Sequence, residues 1–452
     1  MIQENRQEVY IPIEIKPREF VSQLLLCGEL AKKGKRVYLG SKTAIDTLIN
    51  NKNNNAGVYL YKGGGSSINK FKNLSRRVES ITVLDQEVTP ALLDYEVSIK
   101  NRFTKGSLKY VSRLYYIGPQ AKKAAINVLK EINPKLIKDT GWPRVDLWQP
   151  ALHHIWDDEI KAIKSKFKKP FLLFTSNFGC NTQELVEQKT IRSEKRGKRK
   201  TKKDLEFLRN LFSNSYKTYK KFIEFLPTLN NDPEIPTIVI RPHPGEDHYQ
   251  WKEVVKSLPN VYVEYDGDIS PWLLASDGIL HRGCTSAIEA LISRKKFAFL
   301  SEFSIEGSVS LSTSISPNVS NIAELKEWIK NPSTLPIDDL HINNLLGSHI
   351  KFPKSSAACE LAKDLSKLSN ISVQASHIYK EPEISRFKIF FKKVLNKLFK
   401  RNDYLPKLPK KNKMQDGIRL DETEHFLSLM YPDLNFNLKE PKKELILIET
   451  AK

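Results

Sequence analysis

From Thr237 to Ser293, short apolar runs alternate with helix-patterned stretches, and each apolar run ends in a polar or glycine-bearing turn. Thr237-Ile-Val-Ile-Arg241 gives way to Pro242-His243-Pro244-Gly245. Val261-Tyr-Val-Glu-Tyr265 gives way to Gly267-Asp268-Ile269-Ser270-Pro271 and a short apolar helix, Trp272 to Ser276. Gly278-Ile-Leu-His281 gives way to Arg282-Gly283-Cys284-Thr285-Ser286 and the helical run Ala287 to Ser293. Apolar strands alternating with helices predict a parallel sheet in an α/β domain. Ligands of such sheets gather where strands end and helices begin.

Two chemical features stand at those strand ends. Arg241 and His243 leave the first strand together in a proline-stiffened loop, and His281 leaves the third, followed by Gly283. Ser286-Ala-Ile-Glu289 has capping-box spacing, so Ser286 is expected to cap the next helix while Glu289 reaches back. A helix start offers free N–H groups and partial positive charge, a seat for phosphate. Any one histidine at a strand end is ordinary. The joint pattern predicts that two histidine-bearing turns converge on one nucleotide or phosphate pocket.

The same alternation occurs earlier in the chain. Val9 to Ile15, Arg36 to Leu39, Gly57 to Tyr61, Ile81 to Leu84 and Leu114 to Ile117 read as strands, separated by helical or polar stretches. Gly63-Gly64-Gly65-Ser66-Ser67 could cradle a phosphate or sugar, but it lacks the full Walker or dinucleotide spacing, which favours a plain flexible loop. Asp85-Gln86-Glu87 ends a strand, where acids can meet a ligand or simply face solvent. Thr140-Gly141-Trp142-Pro143-Arg144-Val145-Asp146 closes this first α/β unit. A linker helix, about Asp157 to Lys166, leads to the strand Phe171-Leu-Leu-Phe174 and to Thr175-Ser176-Asn177-Phe178-Gly179. Leu205 to Phe225 is a long amphipathic helix. Phe297 to Leu300 is a buried strand, and Ile322 to Ile329 a helix.

The expected organisation is therefore two Rossmann-like α/β domains, residues 1–165 and 166–345, facing a cleft. A mainly helical, basic C-terminal extension, 346–452, follows. A chain of 452 residues accommodates this.

Charge narrows the partners. The formal net charge is +21, which favours an acidic partner: nucleic acid, anionic membrane or a phosphorylated substrate. Nine Lys and Arg stand between Lys189 and Lys203 against Glu194 alone, either a solvated insertion or a contact for anionic groups. Ser385 to Arg401 places Phe387, Phe390, Phe391, Leu395 and Phe399 among lysines and arginines. That pattern fits an anionic-membrane anchor over 385–413 and a docking helix equally. The last residues, Asp421 to Lys452, read as a small helical tail. No nucleic-acid module accompanies the basic regions, so nucleic acid is not the expected partner. Cys27, Cys180, Cys284 and Cys359 are far apart and form no Cys-x-x-Cys pair, which argues for a reducing compartment and against a zinc site. The N-terminus lacks a signal-peptide core and there is no run of about 18 apolar residues. A cytoplasmic protein is expected, peripheral on the inner face of the membrane if 385–413 docks there.

Several segments together resemble the bacterial surface carbohydrate biosynthesis protein family, over about residues 8 to 345. They are Tyr10-Ile-Pro-Ile-Glu14-Ile-Lys-Pro-Arg18-Glu19, Leu84-Asp85-Gln86-Glu87, Thr140-Gly141-Trp142-Pro143-Arg144-Val-Asp146, Thr175-Ser-Asn177-Phe178, Arg241-Pro-His243-Pro244 and His281-Arg-Gly283-Cys284-Thr285. The Gly-x-Pro-Arg-x-Asp and Arg-Pro-His-Pro pieces are also similar to CDP-glycerol glycerophosphotransferases. The His-Pro piece is similar to capsule transferases that use CMP-activated Kdo or sialic acid. Gln86 stands where an acid is expected, and Trp142 where a smaller residue is usual.

The resemblance implies a metal-independent transferase of the GT-B architecture, without cofactor. Its substrate would be a CMP- or CDP-linked sugar, passed to a glycan or lipid-linked acceptor in surface polysaccharide synthesis. On this reading Arg241 and His243 hold the donor phosphate. His281, Gly283, Thr285, Ser286 and Glu289 build the donor pocket. Ser176 and Asn177 seat a sugar carboxylate, Arg144 and Asp146 face the cleft or hold its hinge, and Asp85, at a strand end, is a further substrate-binding candidate. Asp146, Glu87 and His243 are the candidate catalytic groups. A polyol-phosphate transferase on the same fold and a non-catalytic scaffold of polysaccharide assembly remain the alternatives.

Overall fold

The computed structural model describes residues 7–51, 57–64, 68–90, 94–100, 102–167, 169–195, 202–304, 310–331, 339–368, 413–414 and 416–451. Two parallel sheets carry the molecule, in the two-domain α/β arrangement expected of a GT-B-like fold. The first sheet takes β1 (Glu8–Ile13), β2 (Arg36–Ser41), β3 (Val58–Lys62), β4 (Ser80–Leu84), β5 (Val111–Tyr116) and β6 (Ile137–Asp139). The second takes β7 (Phe171–Thr175), β8 (Thr237–Arg241), β9 (Val261–Val263), β10 (Gly278–His281), β11 (Phe297–Leu300) and β12 (Asn318–Val319). The inner strands of both sheets are rich in Val, Ile, Leu, Phe and Tyr and largely buried on both faces, as parallel strands covered by helices must be, while the edge strands β6, β9 and β12 are partly exposed.

The strand orders locate the ligand crevices. In the first sheet the order β2-β1-β3-β4-β5-β6 reverses between β1 and β3. In the second, β12-β11-β10-β7-β8-β9 reverses between β7 and β10. Each reversal leaves a gap beyond the C-terminal strand ends, because successive crossovers leave to opposite sides of the sheet. Turns from these C-terminal ends, those after β1 and β4 on one side and after β10 on the other, line one crevice between the lobes.

The helix Lys16–Lys32 is buried along nearly its whole length. Pro17 suits its first turn, and Gly34, at φ +73°, ends it. It packs against helices Pro143–Leu147, Ala357–Ser366 and Leu420–Met430, so an ordinary one-sided stripe would not serve it. The closest approach is at Gly28, where an added Cβ would lie 2.1 Å from the Tyr431 ring. The Tyr431 hydroxyl donates to the Leu25 carbonyl at 2.8 Å. The apolar core runs on from this lobe through Trp148 and Trp156 to Trp272 and the helix Ser286–Ile292 of the second lobe.

The end of the chain corrects the expected helical tail. Only Leu420–Met430 is helical there. Phe436–Lys442 and Leu445–Thr450 form an antiparallel hairpin, β13 and β14, and β14 adds to the open edge of β2. Leu445, Ile446, Leu447 and Ile448 are buried by that addition. The physical reason is the free backbone edge of β2, which a β-branched, apolar run can saturate where a helix could not. The amphipathic segment 385–401 and the rest of 385–413 up to residue 412 lie outside the described residues, as do residues 65–67 of the glycine loop and 196–201 of the basic stretch. Among the described residues no helix is long and apolar enough to cross a membrane.

Candidate functional site

A narrow crevice, about 20 Å³, opens between the lobes at the strand ends. The first lobe contributes Arg18 from the start of its long helix, Gln86 and Thr89 from the turn after β4, and Trp142, Arg144 and Trp148 around the helix Pro143–Leu147. The second contributes Thr285, at the start of Ser286–Ile292.

The chemistry of this crevice is one-sided. The Arg18 guanidinium makes no hydrogen bond or ion pair to any described residue. Burial, and then the neighbouring Arg144 charge, pull its pKa below the ordinary arginine value. Arg144 lies over the Trp148 ring at 5.6 Å and is 3.9 Å from the Glu289 carboxylate. The indole N–H groups of Trp142 and Trp148 are buried, with no acceptor among the described residues. The one carboxylate of the lining, Glu19, is engaged by Lys62 and by the Glu14 N–H at 2.9 Å. The crevice therefore offers two guanidinium groups, two indole N–H groups and the Thr285 hydroxyl. An anion entering it would relieve the repulsion between the arginines and satisfy donors otherwise stranded.

Glu289 stands behind Arg144 and is 2% exposed. It accepts the Ser270 hydroxyl at 2.6 Å, and burial raises its pKa to about 7. It does not reach back to a helix cap. Thr285 is the N-cap, without a side-chain cap bond, and the buried Ser286 hydroxyl instead meets Thr175 at 2.7 Å and Cys284 at 2.6 Å. The capping box fails because both of its members have nearer buried partners. Gly283 turns at φ +78°, and its N–H donates to His281 Nδ1 at 3.0 Å.

The two expected histidines part company. His281 is fully buried and its ring lies along Phe299. With Nδ1 accepting from Gly283, Nε2 carries the proton and donates to Ser316 at 2.8 Å. Burial lowers its pKa to about 3, so it is a neutral brace of the strand end and does not face the cleft. His243 is exposed on the turn after β8. Its backbone N–H donates to Ser176 at 2.9 Å, and its Nδ1 accepts the Gly245 N–H at 2.9 Å, which places the neutral ring's proton on Nε2. The expected convergence is thus one of backbone turns, on β8 and β10 either side of β7, and not of two rings in one pocket.

Arg241 is buried and committed. It donates to the carbonyls of Asp266 at 2.8 Å and Gly267 at 3.0 Å and lies over Trp272 and Tyr265, so it shapes the loop after β9 and does not present its guanidinium to a ligand. Ser176 is buried and donates to Glu246. Asn177 gives its backbone carbonyl to Arg282 at 2.6 Å.

The three expected acids separate by depth. Asp85 is fully buried in a two-pronged pair with Arg102, at 3.0 and 2.5 Å, and is structural. Asp146 accepts the N–H groups of Ala357 and Ala358, at 2.9 and 2.8 Å, and so caps the helix Ala357–Ser366. Its pKa is raised to about 7, chiefly by desolvation. Neither faces a reacting group. Glu87 is exposed beside the crevice, 3.7 Å from Lys62.

Two residues escaped the sequence reading. Arg18 is one, although it lay within a quoted motif. Glu246 is the other: 2% exposed, it accepts from Ser176, Phe178, Gly179, Trp251 and the His243 N–H, and ties the β7 and β8 turns together. Its place three residues after His243, before the Asp247 that caps the helix His248–Val255, was the available signal. A contact path links this turn to the crevice. His248 Nε2 approaches the His243 carbonyl at 3.4 Å, the His248 and Tyr265 rings lie 3.9 Å apart, and Tyr265 and Arg18 are close enough for the arginine charge to act on the phenol.

Among the described residues no cluster of three His, Cys, Asp or Glu has a metal-holding geometry. No family model matches the chain, and no curated protein matches it. Solved structures that overlay on it include the Methanocaldococcus jannaschii UDP-GlcNAc 2-epimerase in complex with UDP-GlcNAc and UDP, at 12% identity, 80% of this chain and 100% of that chain, with a TM-score of 0.46. The wall teichoic acid polymerase TagF follows at 9% identity, 80% and 89% coverage and 0.44. The Rickettsia bellii UDP-N-acetylglucosamine 2-epimerase gives 12%, 80% and 95%, and 0.43. Overlays this loose assign no role to any side chain.

Proposed function

We propose that this chain is a metal-independent GT-B glycosyltransferase of surface polysaccharide synthesis, transferring a sugar from a cytidine-activated donor to a growing glycan. A Kdo- or sialic-acid-like sugar is the donor unit we favour. The observation that carries the reading is the donor-rich crevice between Arg18 and Arg144, whose one carboxylate, Glu19, is already engaged, set where the two lobes' strand ends meet. A leaving cytidine phosphate gains negative charge as the glycosidic bond breaks. Guanidinium and indole N–H groups already in place stabilise that charge without reorganising. His243, with its proton on Nε2, donates to the same leaving group from the second-lobe rim. Glu289 holds Arg144 in position from behind. Glu87 is the carboxylate we assign to receive the acceptor hydroxyl's proton, since Asp85 and Asp146 are otherwise engaged.

The test is CMP release from CMP-Kdo, CMP-sialic acid and CDP-glycerol by the full-length protein, with and without EDTA. We expect release from a CMP-sugar, unaffected by EDTA, and a loss of about 100-fold in Arg18→Gln. Release from CDP-glycerol alone selects the polyol-phosphate alternative. Absence of release from all three, or an Arg18→Gln variant as active as the parent, removes the proposal.

A further inference from the structure

Next to the crevice lies a cavity of about 570 Å³, within the range of small-molecule sites. It is built from four separate stretches: the start of Lys16–Lys32, the linker at Trp156 and Glu159, the loop from Asp266 to Trp272, and the helix Leu420–Met430. The C-terminal segment is therefore a wall of this chamber and not an appendage.

Its lining has two characters. Phe20, Trp156, Trp272 and Phe426 supply aromatic surface. Glu159, Asp266 and Asp268 supply carboxylates, none of them in an ion pair among the described residues. The cations at the cavity are already committed, Lys16 to Asp416 and Glu422, and Arg419 to Asp421 and Asp416. Two donors are left over: the His425 ring, exposed at the wall, and the Trp156 indole N–H, which in a side chain only 2% exposed has no acceptor among the described residues. Glu159 Oε2 is likewise buried without a hydrogen bond.

A ligand that completes this lining must donate to carboxylates, accept from an indole N–H and lay an apolar face on aromatic rings. An ammonium ion cannot accept, and an anion would meet three carboxylates. A pyranose ring meets all three demands, because each hydroxyl both donates and accepts while the ring C–H groups are apolar. We propose that the cavity binds a hexose-type saccharide. Its hydroxyls donate to Glu159, Asp266 and Asp268, and one accepts the Trp156 N–H.

That this sugar is a unit of the acceptor rests on the transferase reading above; that the cavity binds a sugar does not. The two chambers adjoin. Pro17 lines the cavity and Arg18 the crevice. Asp268 lines the cavity and its charge acts on Glu289, which is 3.9 Å from Arg144. A sugar seated here lies beside the phosphate seat.

The experiment is saturation-transfer NMR on the full-length protein with the methyl glycosides of glucose, galactose, mannose and N-acetylglucosamine as probes, and choline as competitor. At least one glycoside should give a titratable signal that choline does not displace. Its affinity should fall about fivefold in Trp156→Phe and in Glu159→Gln, each of which loses one hydrogen bond or its charge. Asp266→Asn, on an exposed loop, decides the matter if the buried variants do not fold. Arg18→Gln should bind the glycoside as the parent does. No transfer from any of the four, undiminished affinity in every folded cavity variant, or displacement by choline overturns the proposal. Glycoside binding without CMP release would count against the donor assignment alone.

Discussion

Replacing Glu246 by glutamine tests how the second lobe holds its half of the cleft. One carboxylate oxygen accepts the Phe178 and Gly179 N–H groups, at 2.7 and 3.1 Å. The other accepts the Ser176 hydroxyl, the Trp251 indole at 2.9 Å and the His243 N–H at 3.3 Å. A glutamine can keep one of these sets only. With its amide nitrogen on that side, the Trp251 indole and the Ser176 hydroxyl lose their acceptor, while the His243 N–H keeps Ser176 Oγ at 2.9 Å. With the amide flipped, the Phe178 and Gly179 N–H groups lose their acceptor. Either way two buried donors are stranded, at about 1–3 kcal/mol each, for a total of roughly 2–6 kcal/mol. Glu246→Ala strands more and approaches the whole stability of a typical domain, about 5–15 kcal/mol. Urea unfolding followed by tryptophan fluorescence reads the change. For a slope near 3 kcal/mol per molar, the midpoint of the second-lobe transition should fall by about 1 M. A Glu246→Gln protein within about 0.5 kcal/mol of the parent would refute the reasoning, since that is the scatter of ordinary surface substitutions.

Other substitutions probe the remaining elements. Glu289 has its pKa raised from 4.5 to about 7 by burial, so the folded protein holds a proton there that the unfolded chain releases earlier; the associated stability is present below about pH 4.5 and lost as pH rises through 7. Glu289→Gln should remove on the order of 3 kcal/mol of that pH dependence, measured as Tm against pH. Arg102→Met leaves Asp85 buried and unpaired and should cost about 3–5 kcal/mol in urea unfolding, a loss that a solvated Asp85 would not produce. Asp146→Asn should lower Tm by the few degrees that about 1 kcal/mol of helix capping is worth, with CMP release unchanged. Ile446→Ala, at a buried position of the strand that covers β2, should destabilise the first lobe by about 2–5 kcal/mol and expose its edge to proteolysis.

How far the sequence could be read depends on whether its signal is local. The strands up to β11 other than β6 announce themselves, because a short apolar run followed by a polar turn and helical spacing is self-contained; β6, only Ile-Lys-Asp, has no apolar run to show. The hairpin of β13 and β14 is not, since its partner edge at β2 lies some four hundred residues upstream and Phe436–Lys442 carries mostly exposed polar side chains. The site divides the same way. Arg144 and Thr285 stand in turns that the sequence marks as element starts, and both line the crevice. Which carboxylate of Asp85 and Glu87 is buried is not so marked, because the answer is set by Arg102, seventeen residues on. His281 and His243 look alike in sequence, both ending strands. They separate only when the aromatic neighbours Phe297 and Phe299 close over one ring. Arg18 carries no signal of its own in a helix start; it becomes distinctive only where the fold brings Arg144 and two unpaired indoles beside it.

The central claim is that the crevice between Arg18 and Arg144 seats a cytidine nucleotide's phosphate. A crystal structure of the full-length protein soaked with CMP or CDP measures this directly. The account predicts phosphate oxygens within hydrogen-bonding distance of both guanidinium groups, with Thr285 on the opposite wall. A nucleotide bound with its phosphate touching neither arginine would contradict it.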